Sequence, residues 1–230
     1  MVSAPPTPFV PPLAVGDPVP AVALRDQRGR RFVLGERHGA ATAVAFVYTR
    51  CREANECPLE SAKFAKLQAG TPAADLTLVE ITVDPAHDTP AVLARYGAIF
   101  GADPARWTLA TGAPADIAVL ERRFGVETSV KPDGEIAHSD TLVLLDPQGR
   151  VADQIGDASW TPDQVASEAR ALDGRPGNAL AQWAVQLTRG ASGFCGGTTG
   201  GIANWIVLVV LCCALAGFGF AFRRVIRIPA

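Results

Sequence analysis

Excess charge of either sign is missing from this chain: 21 Lys and Arg stand against 23 Asp and Glu, a formal net charge of -2. The basic residues are scattered, with no aromatic stripe among them, which excludes the electrostatic footprint of a nucleic-acid binder. Cysteine is also scarce. Five in 230 residues are too few for a disulfide scaffold, so stability has to come from a core, and the length allows one globular domain plus extra segments. No internal repeat is present, which excludes a solenoid. Residues 1–20 are rich in proline and lack both a basic n-region and a continuous apolar h-region. The expectation is that the numbering begins downstream of the natural start, or that export takes another route.

Charge is absent altogether from Gly190 to Phe222, and Trp205 to Phe222 is apolar apart from two glycines. Counted from Ile202, the 21 residues at about 1.5 Å each match a hydrocarbon core of about 30 Å and predict a transmembrane helix. Trp205 suits one interface, and Arg223, Arg224 and Arg227 suit the other. The positive-inside rule then puts the C-terminus in the cytoplasm and the rest on the extracytoplasmic, periplasmic side of a single-pass cell-membrane protein. A cytoplasmic domain on a tail anchor would oppose this arginine bias. The expected division is a Pro-rich segment at 1–18, a globular domain at 19–173, an amphipathic segment and Gly-rich tether at 174–201, the span at 202–222 and a basic tail at 223–230. Within it, Asn178 to Thr188 has the spacing of a short amphipathic helix, for the membrane surface or for packing on the domain. Cys212 and Cys213 read as small hydrophobes, and Cys195 as acylated or idle.

The remaining two cysteines carry the chemistry. An apolar run, Val44 to Tyr48, reads as a buried strand and leads into Thr49-Arg50-Cys51; five residues later, Cys57-Pro58 opens a helical pattern. Pro58 is expected to be the first helical residue, where its missing N–H has no intrahelical partner to lose. Cys57 then lies near the N-cap, where the partial positive charge of a helix start favours thiolate and hence reactivity and soft-metal affinity. Redox and copper-binding cysteines both need this placement, so the pair alone does not choose. His138, just ahead of an apolar strand at Thr141 to Leu145, sits at an expected strand start. If both strands share a sheet, it approaches the cysteines. Two thiolates and one imidazole form a soft set suited to copper, whereas structural zinc usually wants a fourth ligand, and none is evident.

These motifs resemble one family. Phe46-Val47-Tyr48-Thr49, Cys51 and Cys57-Pro58 are followed by Asp84-Pro85, Asp88-Thr89-Pro90, His138-Ser139 and Leu144-Leu145-Asp146-Pro147 with Gly149. Their order over about Val19 to Leu172 is similar to that of the Sco/SenC family, membrane-anchored thioredoxin-fold copper proteins that serve assembly of cytochrome c oxidase. The resemblance implies Cys51, Cys57 and His138 as copper ligands, Asp84 as a carboxylate supporting them, and as partner a copper-accepting subunit of a haem-copper oxidase. It also implies a metallochaperone that is not an enzyme in the turnover sense. Many members have three residues between the cysteines where this chain has five, Arg52 to Glu56. The longer loop still lets both sulfurs meet one ion, Cu(I) or Cu(II), or pair as a disulfide.

Plainer readings stand beside these. Glu53 and Glu56 attract a cation or a basic partner, or are merely solvated. Asp84 shapes a turn with Pro85. His87 is a solvent-facing residue at a helix start, despite its nearness to Asp84, and His38 is a loop histidine without a role. Three other functions remain open. A thiol:disulfide oxidoreductase acting on the cysteines of a copper-accepting partner would use Cys51 and Cys57 as its catalytic pair without His138. A peroxidase-like enzyme would use one thiolate, and an assembly module with a vestigial site would use neither.

The remaining pattern gives a leading hairpin (Ala21 to Arg25, Arg31 to Leu34), a helix over Pro58 to Gln68 and a strand over Leu76 to Val83. Helices are expected from Thr89-Pro90 to about Phe100, over Pro114 to Phe124, and from Thr161-Pro162 to about Leu172, with a hairpin around Asp133-Gly134. Strands alternating with helices and closed by a hairpin make an α/β fold of thioredoxin type with an N-terminal β-hairpin, plus the C-terminal transmembrane helix.

Overall fold

The computed structural model describes residues 10–36, 39–72 and 75–173. They belong to one compact unit, Met1–Gly177; the second unit, Asn178–Ala230, lies outside them. The expected membrane span, the amphipathic segment, the tether, Cys195, Cys212, Cys213 and His38 therefore fall outside the described residues. Among the described residues no helix is long and apolar enough to cross a membrane.

Nine strands and four α-helices occur in the order β1 (Ala23–Asp26), β2 (Arg31–Val33), β3 (Ala41–Val47), α1 (Cys57–Gly70), β4 (Leu76–Thr82), α2 (Pro90–Ile99), β5 (Trp107–Thr111), α3 (Pro114–Phe124), β6 (Thr128–Val130), β7 (Ile136–His138), β8 (Leu142–Leu145), β9 (Val151–Ile155) and α4 (Pro162–Asp173) among the described residues. The main sheet runs β2-β1-β5-β4-β3-β8-β9, and β6 and β7 form a separate ribbon. β3, β4 and β5 are parallel, joined by α1 and α2 as crossovers, whereas β8 runs antiparallel to β3. This mixed sheet with helices on both faces bears out the thioredoxin-like expectation.

Alternation along the central strands assigns the faces, because successive side chains point to opposite sides. In β3, Ala41, Ala43 and Ala45 face a core filled by Phe64 and Leu67 of α1, Leu93 of α2, Trp107 of β5 and Val165 of α4. The small alanines leave room for those large side chains. Val44 and Phe46 face the other way, onto Ile117, Leu120 and Phe124 of α3. Phe46 and Phe124 meet with centroids 5.7 Å apart. This second core also takes in Tyr48, Cys57 and Ile136.

Helix starts obey their local chemistry. Thr89 caps α2 by accepting the Val92 N–H, with Pro90 opening the helix. α3 ends where Gly125 takes a left-handed φ of 68°. Pro58 is the second helical residue, and Cys57 is the first, one place earlier than expected. Two strands carry weak sequence signals. β5 mixes threonines with Trp107, Leu109 and Ala110 but is fully buried inside the sheet, between β1 and β4, and β9 is an edge strand paired only with β8.

Candidate metal centre

Both cysteines are positioned by the chain leaving β3. The strand ends at Val47; Cys51 N–H then donates to the Tyr48 carbonyl at 3.3 Å, closing a turn that presents the Cys51 thiol. The turn is anchored from below by Asp88. Its carboxylate, fully buried, accepts the Thr49 N–H at 3.1 Å and the hydroxyls of Thr49 and Thr82. Arg52 to Glu56 then form an irregular loop, and Cys57 begins α1 at 1% exposure. Both cysteines are free thiols.

His138 arrives from a place the sequence pattern did not indicate. It is the last residue of β7, in the small ribbon and opposite Thr128, and does not begin the strand β8 in the main sheet. The expected hairpin thus extends to His138, since the turn at Asp133-Gly134 pairs Thr128–Val130 with Ile136–His138. Tyr48 ties this ribbon to β3. Its hydroxyl accepts the Ile136 N–H at 3.3 Å, and its ring meets the His138 ring edge-on at 6.0 Å.

The imidazole therefore reaches Cys57, with His138 Nε2 3.2 Å from Cys57 Sγ. The other ring nitrogen, Nδ1, lies 3.3 Å from the Ser139 carbonyl, which can only accept. A proton on Nδ1 would serve that contact and leave the lone pair of Nε2 toward the sulfur, the tautomer that ligation through Nε2 requires. Cys51 Sγ lies 3.8 Å from both Glu56 Oε2 and the Glu53 carbonyl. Among the described residues no three His, Cys, Asp or Glu side chains already converge in metal-holding geometry. The fold brings the expected ligands into one neighbourhood as contacting pairs.

The electrostatics correct one expectation. The helix start was expected to favour a Cys57 thiolate; instead burial pushes this thiol well above its usual range, and the neighbouring Cys51 and Glu56 add to the rise. Desolvation outweighs the partial charge of the helix end because Cys57 lies inside the core. A cation bound there would supply the compensation that water does not, taking the place of the thiol proton. Burial likewise raises the Tyr48 phenol, keeping it neutral beside Cys51 and Glu135.

Asp84 sits behind this site. One carboxylate oxygen accepts from Arg50 at 2.6 and 3.1 Å, and the other is 2.8 Å from His87 Nδ1. Burial works to raise its pKa, but these hydrogen bonds and the Arg50 charge hold it below the usual carboxylate range. Asp84 thus bonds Arg50, the neighbour of Cys51, and none of the expected ligands. His87 is exposed, as expected, and engaged with Asp84 and Arg50. A 270 Å³ pocket lined by Tyr48, Arg50, Arg52, Asp133, Gly134 and Glu135 opens beside Cys51. Tyr48, Arg50 and Asp88 were missed as site residues. Tyr48 and Asp88 had a signal, since both stand in motifs of the sequence, Phe46 to Thr49 and Asp88-Thr89-Pro90.

This fold has counterparts among known proteins. The model of the SCO1/SenC family matches residues 19–172. The chain belongs to that family. It is 25% identical over 152 residues to the SCO1 protein homolog of Bacillus subtilis, a match taking in 64% of this chain and 78% of that protein. It is 31% identical over 160 residues to the mitochondrial SCO2 homolog of Mus musculus, spanning 64% of this chain and 59% of the mouse protein. Among solved structures, Bradyrhizobium japonicum ScoI with copper bound superposes with a TM-score of 0.56 at 28% identity, over 69% of this chain and 99% of that one. Copper is an ion that two sulfurs and one imidazole nitrogen would suit.

Proposed function

We propose that this chain is a copper chaperone that holds the ion between Cys51, Cys57 and His138 and passes it to the copper-accepting subunit of a haem-copper oxidase during assembly. The observation that carries the reading is the 3.2 Å approach of His138 Nε2 to Cys57 Sγ with Nδ1 engaged elsewhere. A thiol:disulfide oxidoreductase needs no imidazole lone pair aimed at its buried sulfur. Binding releases the thiol protons, and ligand exchange with the acceptor's own soft donors moves the ion onward. The same reading gives Ile202 to Phe222 as a membrane anchor, with Arg223, Arg224 and Arg227 in the cytoplasm and the metal centre on the extracytoplasmic side.

The test is a competition titration of Cu(I) into the reduced chain and its His138→Ala form. The parent takes up one tight equivalent, and the substitution lowers the affinity by about tenfold or more. Equal binding by the two forms removes His138 from the ligands and leaves the thiol oxidoreductase as the better account.

A further inference from the structure

The loop between the cysteines brings a fourth donor. Glu56 is the N-cap residue of α1, yet its side chain makes no capping hydrogen bond. N-caps are usually short Ser, Thr, Asp or Asn side chains that fold back onto the helix N–H groups. The half-buried Glu56 carboxylate is instead turned onto Cys51, with Oε2 3.8 Å from its Sγ. The backbone assists, since Glu56 N–H donates to the Glu53 carbonyl at 3.1 Å and closes a turn that folds the loop back over Cys51. Cys51 meets the carboxylate on this side, while Cys57, on the helix start, meets the imidazole.

From this placement, and resting on the copper reading above, we propose that Glu56 donates a carboxylate oxygen as a further ligand when the centre holds Cu(II), and not when it holds Cu(I). Ligand preference gives the direction. Two thiolates and an imidazole satisfy soft Cu(I), whereas Cu(II) prefers four donors in a tetragonal arrangement and accepts harder oxygen. Charge points the same way. Two thiolates leave bound Cu(I) with one net negative charge and bound Cu(II) with none, so an added carboxylate is repelled by the first centre and not by the second. Glu53 has the same charge but is exposed, and it meets Cys51 only through its backbone carbonyl.

The experiment titrates Cu(I) and, anaerobically at less than one equivalent, Cu(II) into the full chain, its E56Q form and its E53Q form, each against a competing chelator. Electron paramagnetic resonance spectra of the Cu(II) forms are recorded alongside. The expected result for E56Q is a loss of Cu(II) affinity of about tenfold or more, a Cu(I) affinity within about twofold of the parent, and an altered Cu(II) hyperfine pattern. E53Q tracks the parent in all three. Equal shifts in E56Q and E53Q, parallel losses for both ions in E56Q, or no change in E56Q overturns the assignment. A parent that binds neither ion overturns the copper reading itself and this inference with it, so the two failures are told apart by the parent alone.

Discussion

Replacing Glu80 by glutamine tests how the floor beneath the metal centre is built. Glu80 lies in β4 with 0% exposure, its carboxyl 2.8 Å from Ser61 Oγ and accepting the Trp107 Nε1–H at 3.1 Å. Ser61 Oγ is 2.9 Å from the Tyr96 hydroxyl, which donates to the Cys57 carbonyl at 3.4 Å. A buried acid is thus linked through two hydroxyls to the backbone of a site cysteine. Burial pushes its pKa from 4.5 to about 8 against the pull of the Ser61 and Trp107 hydrogen bonds, and neighbouring Glu60 adds to the rise. Glu60 is itself pushed to about 7, chiefly by burial. Because the folded pKa lies above the unfolded one, the contribution of Glu80 is full below about pH 4.5 and is lost as pH rises through about 8. At about 1.36 kcal/mol per pH unit, that window corresponds to on the order of 5 kcal/mol, a large share of the stability of an ordinary domain. Chemical denaturation of the metal-free, reduced parent and E80Q between about pH 5 and 9.5 measures it. The two are expected to agree within about 1 kcal/mol at the acid end, with E80Q the more stable by several kcal/mol at the alkaline end. Parallel pH profiles would mean that Glu80 is not held protonated, and the reasoning fails.

Removing the Asp88 carboxylate with D88A strands the Thr49 N–H and the Thr49 and Thr82 hydroxyls in a buried place. A loss of about 2 to 4 kcal/mol in denaturant unfolding is expected, together with weaker Cu(I) uptake because Thr49 sets the turn to Cys51. Gly149→Ala forces a side chain onto a φ of 74° and places its Cβ 2.5 Å from the Gly35 carbonyl oxygen, so a loss of more than about 2 kcal/mol is expected. Gly134→Ala, at φ 81° but facing open space, should lose only about 1 kcal/mol, and thermal melts of the pair separate the clash from the backbone strain. Joining Cys51 and Cys57 with a mild oxidant should abolish Cu(I) uptake, and a dithiol should restore it; uptake by the oxidised chain would show that the two thiols are not the ligands.

Much of this protein is written in local pattern. Pro58, Thr89-Pro90 and Gly125 mark helix ends because their backbone chemistry acts within a few residues, and the apolar run after Ala43 declares a buried strand wherever it is packed. The order of Cys51, Cys57-Pro58, Asp84-Pro85 and His138 was equally legible, and with it the family and the candidate ligands. Tertiary structure decided what depends on neighbours distant in the chain. β5 has an ordinary sequence and becomes a buried interior strand only because β1 and β4 pair with it on either side. His138 reaches Cys57 from a separate ribbon held by the Tyr48 hydroxyl, a contact across 88 positions that no local spacing encodes. The protonation of Cys57 was set in the same way: the helix start is a local feature that favours thiolate, but desolvation is the sum of everything packed around the sulfur, and that sum wins.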